Sequence, residues 1–273
     1  MIKSTFGITN EPFNRENLKL LPQQKKIVDV IKIHAQHGGF SVIIGVPGVG
    51  KSVLKEHIEQ FNKEKNAVVV SFSRTMHTYL NILKQLAESL KLDVPIKDCE
   101  KQLIQVAYST IREGNTLYTL IDEAHLLGMD VLRKLRLLFD QFPKKHNLIL
   151  FGQRDLLFYL SMKVNEDVKS RITYSETLLP LNDDALKDYI TTELEAVRLG
   201  LNTYDEAAIE LILRSAQGNL RLCRNLCYSS LIQACADAKR VVSIRHVNNV
   251  LIQPHWRSHD ELVKQQVEPH RSE

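Results

Sequence analysis

The chain has 273 residues, 44% hydrophobic and 25% charged, a composition that buries one large core or two small ones and excludes a disordered, collagenous or disulfide-stapled protein. Lys and Arg number 36 against 32 Asp and Glu, a formal charge of +4, so an anionic partner must be met by local basic patches rather than by the field of the whole molecule. Four cysteines, Cys99, Cys223, Cys227 and Cys235, contain no C-x-x-C pair; they suit neither a secreted disulfide framework nor structural zinc, and point to a reducing cytoplasm.

The opening MIKSTFGITNEPFN lacks the apolar core of a signal peptide. No apolar run approaches the ~20 residues that a membrane span needs, so the expectation is a cytoplasmic protein without a membrane partner. From about residue 25 to 180, short β-rich apolar runs alternate with stretches of helical period. Strands are expected at Ser41–Ile44, Val68–Phe72, Leu117–Ile121 and Leu148–Phe151, each nearly continuous in apolar residues, as strands covered on both faces are. Helices are expected from Lys51 and over Thr78–Leu90, Cys99–Ile111 and Asp130–Phe142. The fold class is therefore α/β, a parallel sheet between helical layers.

After Pro180 the strand-like runs stop, and Asn182–Leu199, Asp205–Ala216, Leu220–Asp237 and Ser243–Leu251 read as helices. Asp183 or Asp184 is expected to cap the first, Thr203 or Asp205 the second and Ser243 the last, with Gly200 and Gly218 in left-handed C-terminal positions. Cys223, Cys227 and Cys235 recur on one helix face and read as small buried apolar residues rather than ligands. The expected organisation is an α/β core over 1–180, a helical lid over 181–253 and a polar tail or partner-binding peptide over 254–273.

Directly after the first strand comes G-V-P-G-V-G-K-S, Gly45 to Ser52, which fits G-x-x-x-x-G-K-[ST]. Gly45, Gly48 and Gly50 let the backbone turn its N–H groups toward phosphate oxygens at a helix N-terminus, where the dipole also favours anions. Lys51 is placed to reach the β- and γ-phosphates, and the Ser52 hydroxyl to ligand Mg2+. Val46, Pro47, Gly48, Val49, Gly50, Lys51, Ser52 and Val53 form the expected nucleotide cradle. The alternative, glycines serving only a tight strand–turn–helix, leaves the Lys-Ser pair without a reason.

About seventy residues further on, the strand Leu117–Ile121 runs into Asp122, Glu123, Ala124 and His125. Asp122 is expected to hold Mg2+ and Glu123 to orient and deprotonate the attacking water; the alternative is a surface turn with two solvated acids. Gln153, after Leu148–Phe151, stands where a side-chain amide senses a γ-phosphate, or merely caps the next element. Arg171 precedes the change to all-helical sequence; it reads either as an arginine finger reaching a neighbouring subunit's nucleotide or as a common surface arginine. Arg221 opens a helix in G-N-L-R and reads as a lid residue reaching back to the nucleotide, or as a solvated helix-start arginine.

These pieces in this order resemble the AAA+ ATPases, and more narrowly the group of ExeA-type ATPases and the transposition ATPases of the TnsC, TniB and IstB kind. The likeness covers about residues 4–253 and rests on FGITNEPFN, LLPQQKKIVDVI, LIDEAHLL, LRLLFD, LILFGQRDL and GNLRLCRNL. It implies a P-loop AAA+ three-layer core followed by an all-helical lid, with ATP and Mg2+ as cofactors. It also implies adenine contacts near Leu21, Pro22 and Gln24, Gln153 as sensor 1, Arg171 as arginine finger and Arg221 as sensor 2. Leu220 stands where ExeA-like lids carry Pro, and sensor 1 is Gln rather than Asn or Thr. ExeA-like proteins continue into a membrane helix, and the expectation that this chain stops soon after its lid aligns it with the stand-alone transposition ATPases. Those assemble on duplex DNA with ATP, mark target sites and contact a transposase. The implied partners are duplex DNA read largely without sequence preference, a transposase, a target-selector protein and further copies of the chain in a ring or filament.

Tracking duplex DNA requires Lys and Arg along one face. Arg74 and Lys84 are the preferred candidates, with Lys101, Arg133, Lys134 and Arg136 as others; each alone reads equally as an ordinary solvated residue. The lack of interleaved aromatics argues for duplex over single-stranded DNA.

Overall fold

The computed structural model describes residues 1–13, 20–63, 66–72 and 78–253. Contacts divide the chain into two compact units, Lys19–Leu179 and a second one that joins Met1–Leu18 to the residues from Pro180 onward.

The Lys19–Leu179 unit is built on a five-stranded sheet of β1 (Gly39–Gly45), β2 (Ala67–Phe72), β3 (Thr116–Ile121), β4 (His146–Gly152) and β5 (Tyr174–Leu178), in the order β2-β3-β4-β1-β5. All pairings are parallel, with Val42 opposite Leu150 across β1 and β4, and Ile43 opposite Glu176 across β1 and β5. The central strands β1 and β4 are buried along almost their whole length, which is why they read as unbroken apolar runs. Alternation sends their side chains into two cores. Phe40, Val42, Ile44, Leu148 and Leu150 pack with residues of α4 (Tyr79–Ser89), α5 (Ile96–Arg112), α6 (Met129–Asp140) and α7 (Arg154–Ser161). Ile43, Ile149 and Phe151 pack on the other face with α2 (Pro22–Ala35) and α3 (Lys51–Glu59). Each fully buried Leu, Ile or Phe contributes about 1.5–3 kcal/mol of hydrophobic stabilisation, and helical period brings such residues to the sheet. In α6, for instance, Leu132, Leu135 and Leu138 form the buried stripe.

The four expected strands are present, and β5 is one that apolar patterning did not signal. It lies at the sheet edge with only Leu178 buried, so its sequence Y-S-E-T-L alternates in polarity rather than running apolar. Short α8 (Glu166–Lys169) precedes it. Gly38 has φ +82°, and a Cβ there would overlap the Lys144 carbonyl oxygen; only glycine allows the chain to enter β1 beside the loop before β4.

The second unit contains α1 (Ile2–Phe6), α9 (Asp183–Glu195), α10 (Glu206–Ala216), α11 (Leu220–Ala236) and α12 (Ile244–Leu251). The expected core began at residue 1, whereas the first residues cluster with this helical unit. Ile2, Ile8 and Phe13 are buried, the Phe13 ring lies 6.3 Å from that of Tyr189, and the Tyr228 hydroxyl donates to Glu11 Oε2 at 3.1 Å. The opening segment thus exchanges apolar surface with the helices instead of with the sheet. Asp205 and Ser243 cap α10 and α12 as expected, but the cap of α9 is Asn182, whose Oδ1 accepts from Ala185 N at 2.9 Å. Asp183 and Asp184 lie inside the helix, where their charge suits the positive end of the dipole. That helix ends at Glu195, and Arg198 rather than Gly200 takes the left-handed conformation, at φ +64°. Gly218 has φ +78° as expected. Cys223, Cys227 and Cys235 are buried and unbridged along α11, and burial raises the Cys227 thiol well above its ordinary pKa, so it stays a neutral packing group.

Candidate functional site

The sheet places the C-terminal ends of β3, β4 and β1 side by side, and each runs into one of the expected groups. At the end of β1 the backbone turns through Gly48 (φ +88°) and Gly50 (φ +104°), both left-handed, before α3 starts at Lys51. Those conformations suit glycine and coil the loop so that amide groups converge. A Cβ on Gly45 would meet Val49 Cγ2 at 2.7 Å and the Leu178 carbonyl oxygen at 3.2 Å, so the loop is also packed tightly against β5. The buried Lys51 ammonium donates to the carbonyl oxygens of Gly45 at 2.6 Å and Val46 at 3.2 Å. It lies over the loop, where a phosphate's charge would be met, while Ser52 on the first turn is exposed. Val46, Pro47, Val49 and Val53 complete this loop and helix start.

Asp122 follows β3, its backbone N–H donating to the Phe72 carbonyl at 3.3 Å. One carboxylate oxygen accepts from the Glu123 N–H at 2.8 Å, and the other lies 3.7 Å from Lys55 Nζ. Lys55 is buried one turn beyond Lys51 on α3, so two ammonium groups stand near the phosphate loop and the acidic pair. Lys55 carries a signal in the sequence, its i+4 spacing from Lys51, that motif reading passes over. Hydroxyl and carboxylate oxygens are the hard donors Mg2+ prefers, so Ser52 and Asp122 fit that ion, and ATP would bring it with its phosphates. Glu123 is left-handed at φ +51°, a strained conformation for a non-glycine residue.

Gln153 directly follows β4. Its amide nitrogen lies 2.9 Å from Nε2 of buried His125, and His125 Nδ1 lies 3.5 Å from Glu123 Oε2. Glu123 and Gln153 are thereby brought together through a histidine that the sequence offered only as the last letter of Asp-Glu-Ala-His.

The adenine-side residues divide in two. Leu21 and Pro22 are partly or fully exposed at the start of α2. Gln24 is buried, its Oε1 accepting from Leu21 N at 2.9 Å and its Nε2 donating to the Gly50 carbonyl at 3.0 Å. Both ends of that amide are committed, so Gln24 clamps the segment to the phosphate loop instead of presenting its side chain to a base.

Arg171 stands apart from these groups. It lies ahead of β5, and β5 runs parallel to β1 with Tyr174 opposite Ser41 and Leu178 opposite Gly45. Arg171 is therefore at the opposite end of the strands from the phosphate loop, separated by at least about 13 Å at ~3.3 Å per residue. Its guanidinium pairs with Asp140 at 3.3 Å. Arg136 shares Asp140 at 3.2 Å and binds Asp167 at 2.9 Å, which raises the arginine's pKa and lowers that of the aspartate. Arg133 is also engaged, by Asp130, Asp167 and Asn165. Lys84 and Lys101 are exposed on α4 and α5. Arg74 lies outside the described residues. Arg221 is exposed in the first turn of α11 within the helical unit.

Residues 33–160 match the family model described as an AAA domain. With its phosphate loop and acidic pair, that AAA domain is an ATP-hydrolysing one. No curated protein is similar enough in sequence to match it. The fold is similar to that of Cdc6p from Pyrobaculum aerophilum, with TM-score 0.72 and 18% identity over 94% of this chain and 74% of that one. It is also similar to ORC1 from Aeropyrum pernix in complex with DNA, with TM-score 0.64 and 16% identity over 85% and 65% of the two chains. A RuvB variant from Thermotoga maritima gives TM-score 0.58 and 16% identity over 92% and 76%. Among the described residues, no helix is long and apolar enough to cross a membrane.

Proposed function

We propose that this protein is an ATP-dependent DNA-binding ATPase that assembles on duplex DNA as a ring or filament and regulates transposition, using hydrolysis of ATP to ADP and phosphate as a timer. In this reading Lys51 holds the phosphates and Ser52 and Asp122 hold Mg2+. Glu123 takes a proton from the attacking water, Gln153 senses the γ-phosphate, and Arg221 couples the lid to the nucleotide. Bound Mg2+ supplies charge neutralisation on the β- and γ-phosphates.

The observation that carries the assembly is the position of Arg171. Separated by the length of the sheet from its own phosphate loop, it is more than half exposed and suited to another copy's γ-phosphate. A transition-state cation supplied in trans makes hydrolysis depend on assembly. The DNA part draws support from the likeness to a protein solved in complex with DNA, and the transposition part from the motif resemblance. Partners on this reading are duplex DNA, a transposase and a target selector.

The test is sedimentation and electron microscopy of the purified protein with duplex DNA and ATP, ADP or a non-hydrolysable analogue. ATP-dependent rings or filaments on arbitrary DNA are expected. Assembly indifferent to DNA refutes the reading and favours an ExeA-like assembly ATPase with a protein partner. A second reading, a replication-initiator-like ATPase, is favoured by the likeness to Cdc6p and ORC1; it requires strong preference for one defined duplex over arbitrary DNA.

A further inference from the structure

A histidine lies between two groups to which the proposed mechanism gives separate tasks. His125 sits in the turn Ala124–Leu126, its side chain 8% exposed. Nε2 is 2.9 Å from the Gln153 side-chain nitrogen. Nδ1 has no hydrogen-bond partner and faces Glu123 Oε2 at 3.5 Å, just beyond good hydrogen-bond length. The approach is built into the backbone. Gly152 ends β4 so close to this turn that a Cβ there would lie 3.5 Å from the His125 amide nitrogen and 2.8 Å from Leu156 Cδ2. Glu123, at φ +51°, is held in the conformation that starts the turn.

The two contacts select one arrangement of protons in the neutral ring. A side-chain amide nitrogen only donates, so Nε2 accepts from Gln153 and the ring proton sits on Nδ1, facing the carboxylate. The reverse arrangement would turn the Gln153 oxygen to an Nε2–H and leave the Nδ1 lone pair against a carboxylate, which is repulsive. We propose that His125 is a positioning residue: the Gln153 amide fixes its tautomer, and the Nδ1–H it thereby keeps orients the Glu123 carboxylate toward the attacking water. Gln153 is in this way coupled to the base through one buried ring. The inference rests on the roles proposed for Glu123 and Gln153.

Two measurements test it. In the nucleotide-free protein, ring-nitrogen NMR of selectively labelled histidine should show His125 as a single Nδ1–H tautomer. Replacing Gln153 in the Gln153→Ala variant should abolish that preference. An Nε2–H tautomer, or a preference untouched by Gln153→Ala, overturns the relay. In steady-state hydrolysis, His125→Ala, Gln153→Ala and the double variant should each lower kcat by a similar amount, on the order of 100-fold for a misplaced reacting group, with binding of a non-hydrolysable analogue unchanged in His125→Ala. Multiplicative effects in the double variant overturn the coupling. His125→Asn keeps a donor near the Nδ1 position and should retain more activity than His125→Ala, which also covers the case in which the alanine variant fails to fold. Glu123→Gln separates the two levels: wild-type turnover there removes the underlying role of Glu123, whereas lost turnover there beside wild-type turnover in the His125 variants removes the relay alone.

Discussion

His146 makes the α/β unit acid-sensitive in a way that can be calculated. It is the first residue of β4, 7% exposed, and its ring stacks on Phe139 at 4.8 Å and lies 4.8 Å from Phe142. Nε2 is 2.9 Å from Thr119 Oγ1. Burial lowers its pKa to about 3, against about 6.5 for an unfolded histidine. Between those values the unfolded chain holds a proton that the folded one does not. The stability of the unit is therefore whole above pH 6.5 and is lost as pH falls toward 3, at up to about 1.4 kcal/mol per pH unit. From pH 7.5 to 5 the loss from this group alone is about 2 kcal/mol, large beside the 5–15 kcal/mol typical of a domain. Native-state hydrogen exchange of β3 and β4 amides, measured across that range, reads it locally. His146→Leu should lower stability by a roughly constant amount through the orphaned Thr119 hydroxyl, about 1 kcal/mol, and should flatten the pH slope. Equal slopes in wild type and His146→Leu would refute the reasoning, because the difference between the two isolates this one ring.

Lys51→Ala removes charge-assisted donors to phosphate, each worth about 1.5–3 kcal/mol, so fluorescent-nucleotide titration should show affinity at least about tenfold weaker; near-normal affinity would sink the phosphate-loop assignment. Neither Glu123→Gln nor Arg171→Ala protein should hydrolyse ATP effectively alone, and mixing them should recover turnover at the interfaces that pair an intact Glu123 with an intact Arg171. No recovery at any ratio counts against action in trans. Gly38→Ala must lose its left-handed backbone or displace the Lys144 carbonyl, at a cost of at least about 3 kcal/mol; a thermal midpoint matching wild type would contradict that geometry. If phosphate contacts dominate DNA binding, affinity should fall about tenfold or more between about 50 and 200 mM salt, and a flat salt profile would exclude it.

Glycines and charges at fixed offsets made the phosphate loop and the acidic pair legible, because their chemistry demands particular residue types at particular spacings regardless of what packs around them. Strands β1, β3 and β4 were legible for a different reason: burial on both faces makes them apolar throughout. β5 was not, since an edge strand with one buried residue carries no such pattern and is held by its pairing to β1. Gln24 shows a second kind of limit. Its proximity to the nucleotide segment was readable, but only its partners at Leu21 and Gly50 reveal that its amide is spent on the loop.

What the amino-acid sequence by itself determined is therefore the chemistry at the ends of the strands: a P-loop, two adjacent carboxylates and an amide on an α/β scaffold, followed by a helical region. Those follow from local periodicity and motif spacing. Tertiary structure alone decided which of these groups touch. Parallel pairing in the order β3-β4-β1 brought Glu123, His125 and Gln153 together, and the parallel run of β5 beside β1 placed Arg171, which precedes it, at the opposite end of the strands with Asp140 and Arg136. It also joined Met1–Leu18 to the helices beyond Pro180. Contacts of that kind join residues distant in the chain, and no local pattern encodes them, because they depend on how separately formed elements bury one another's surfaces.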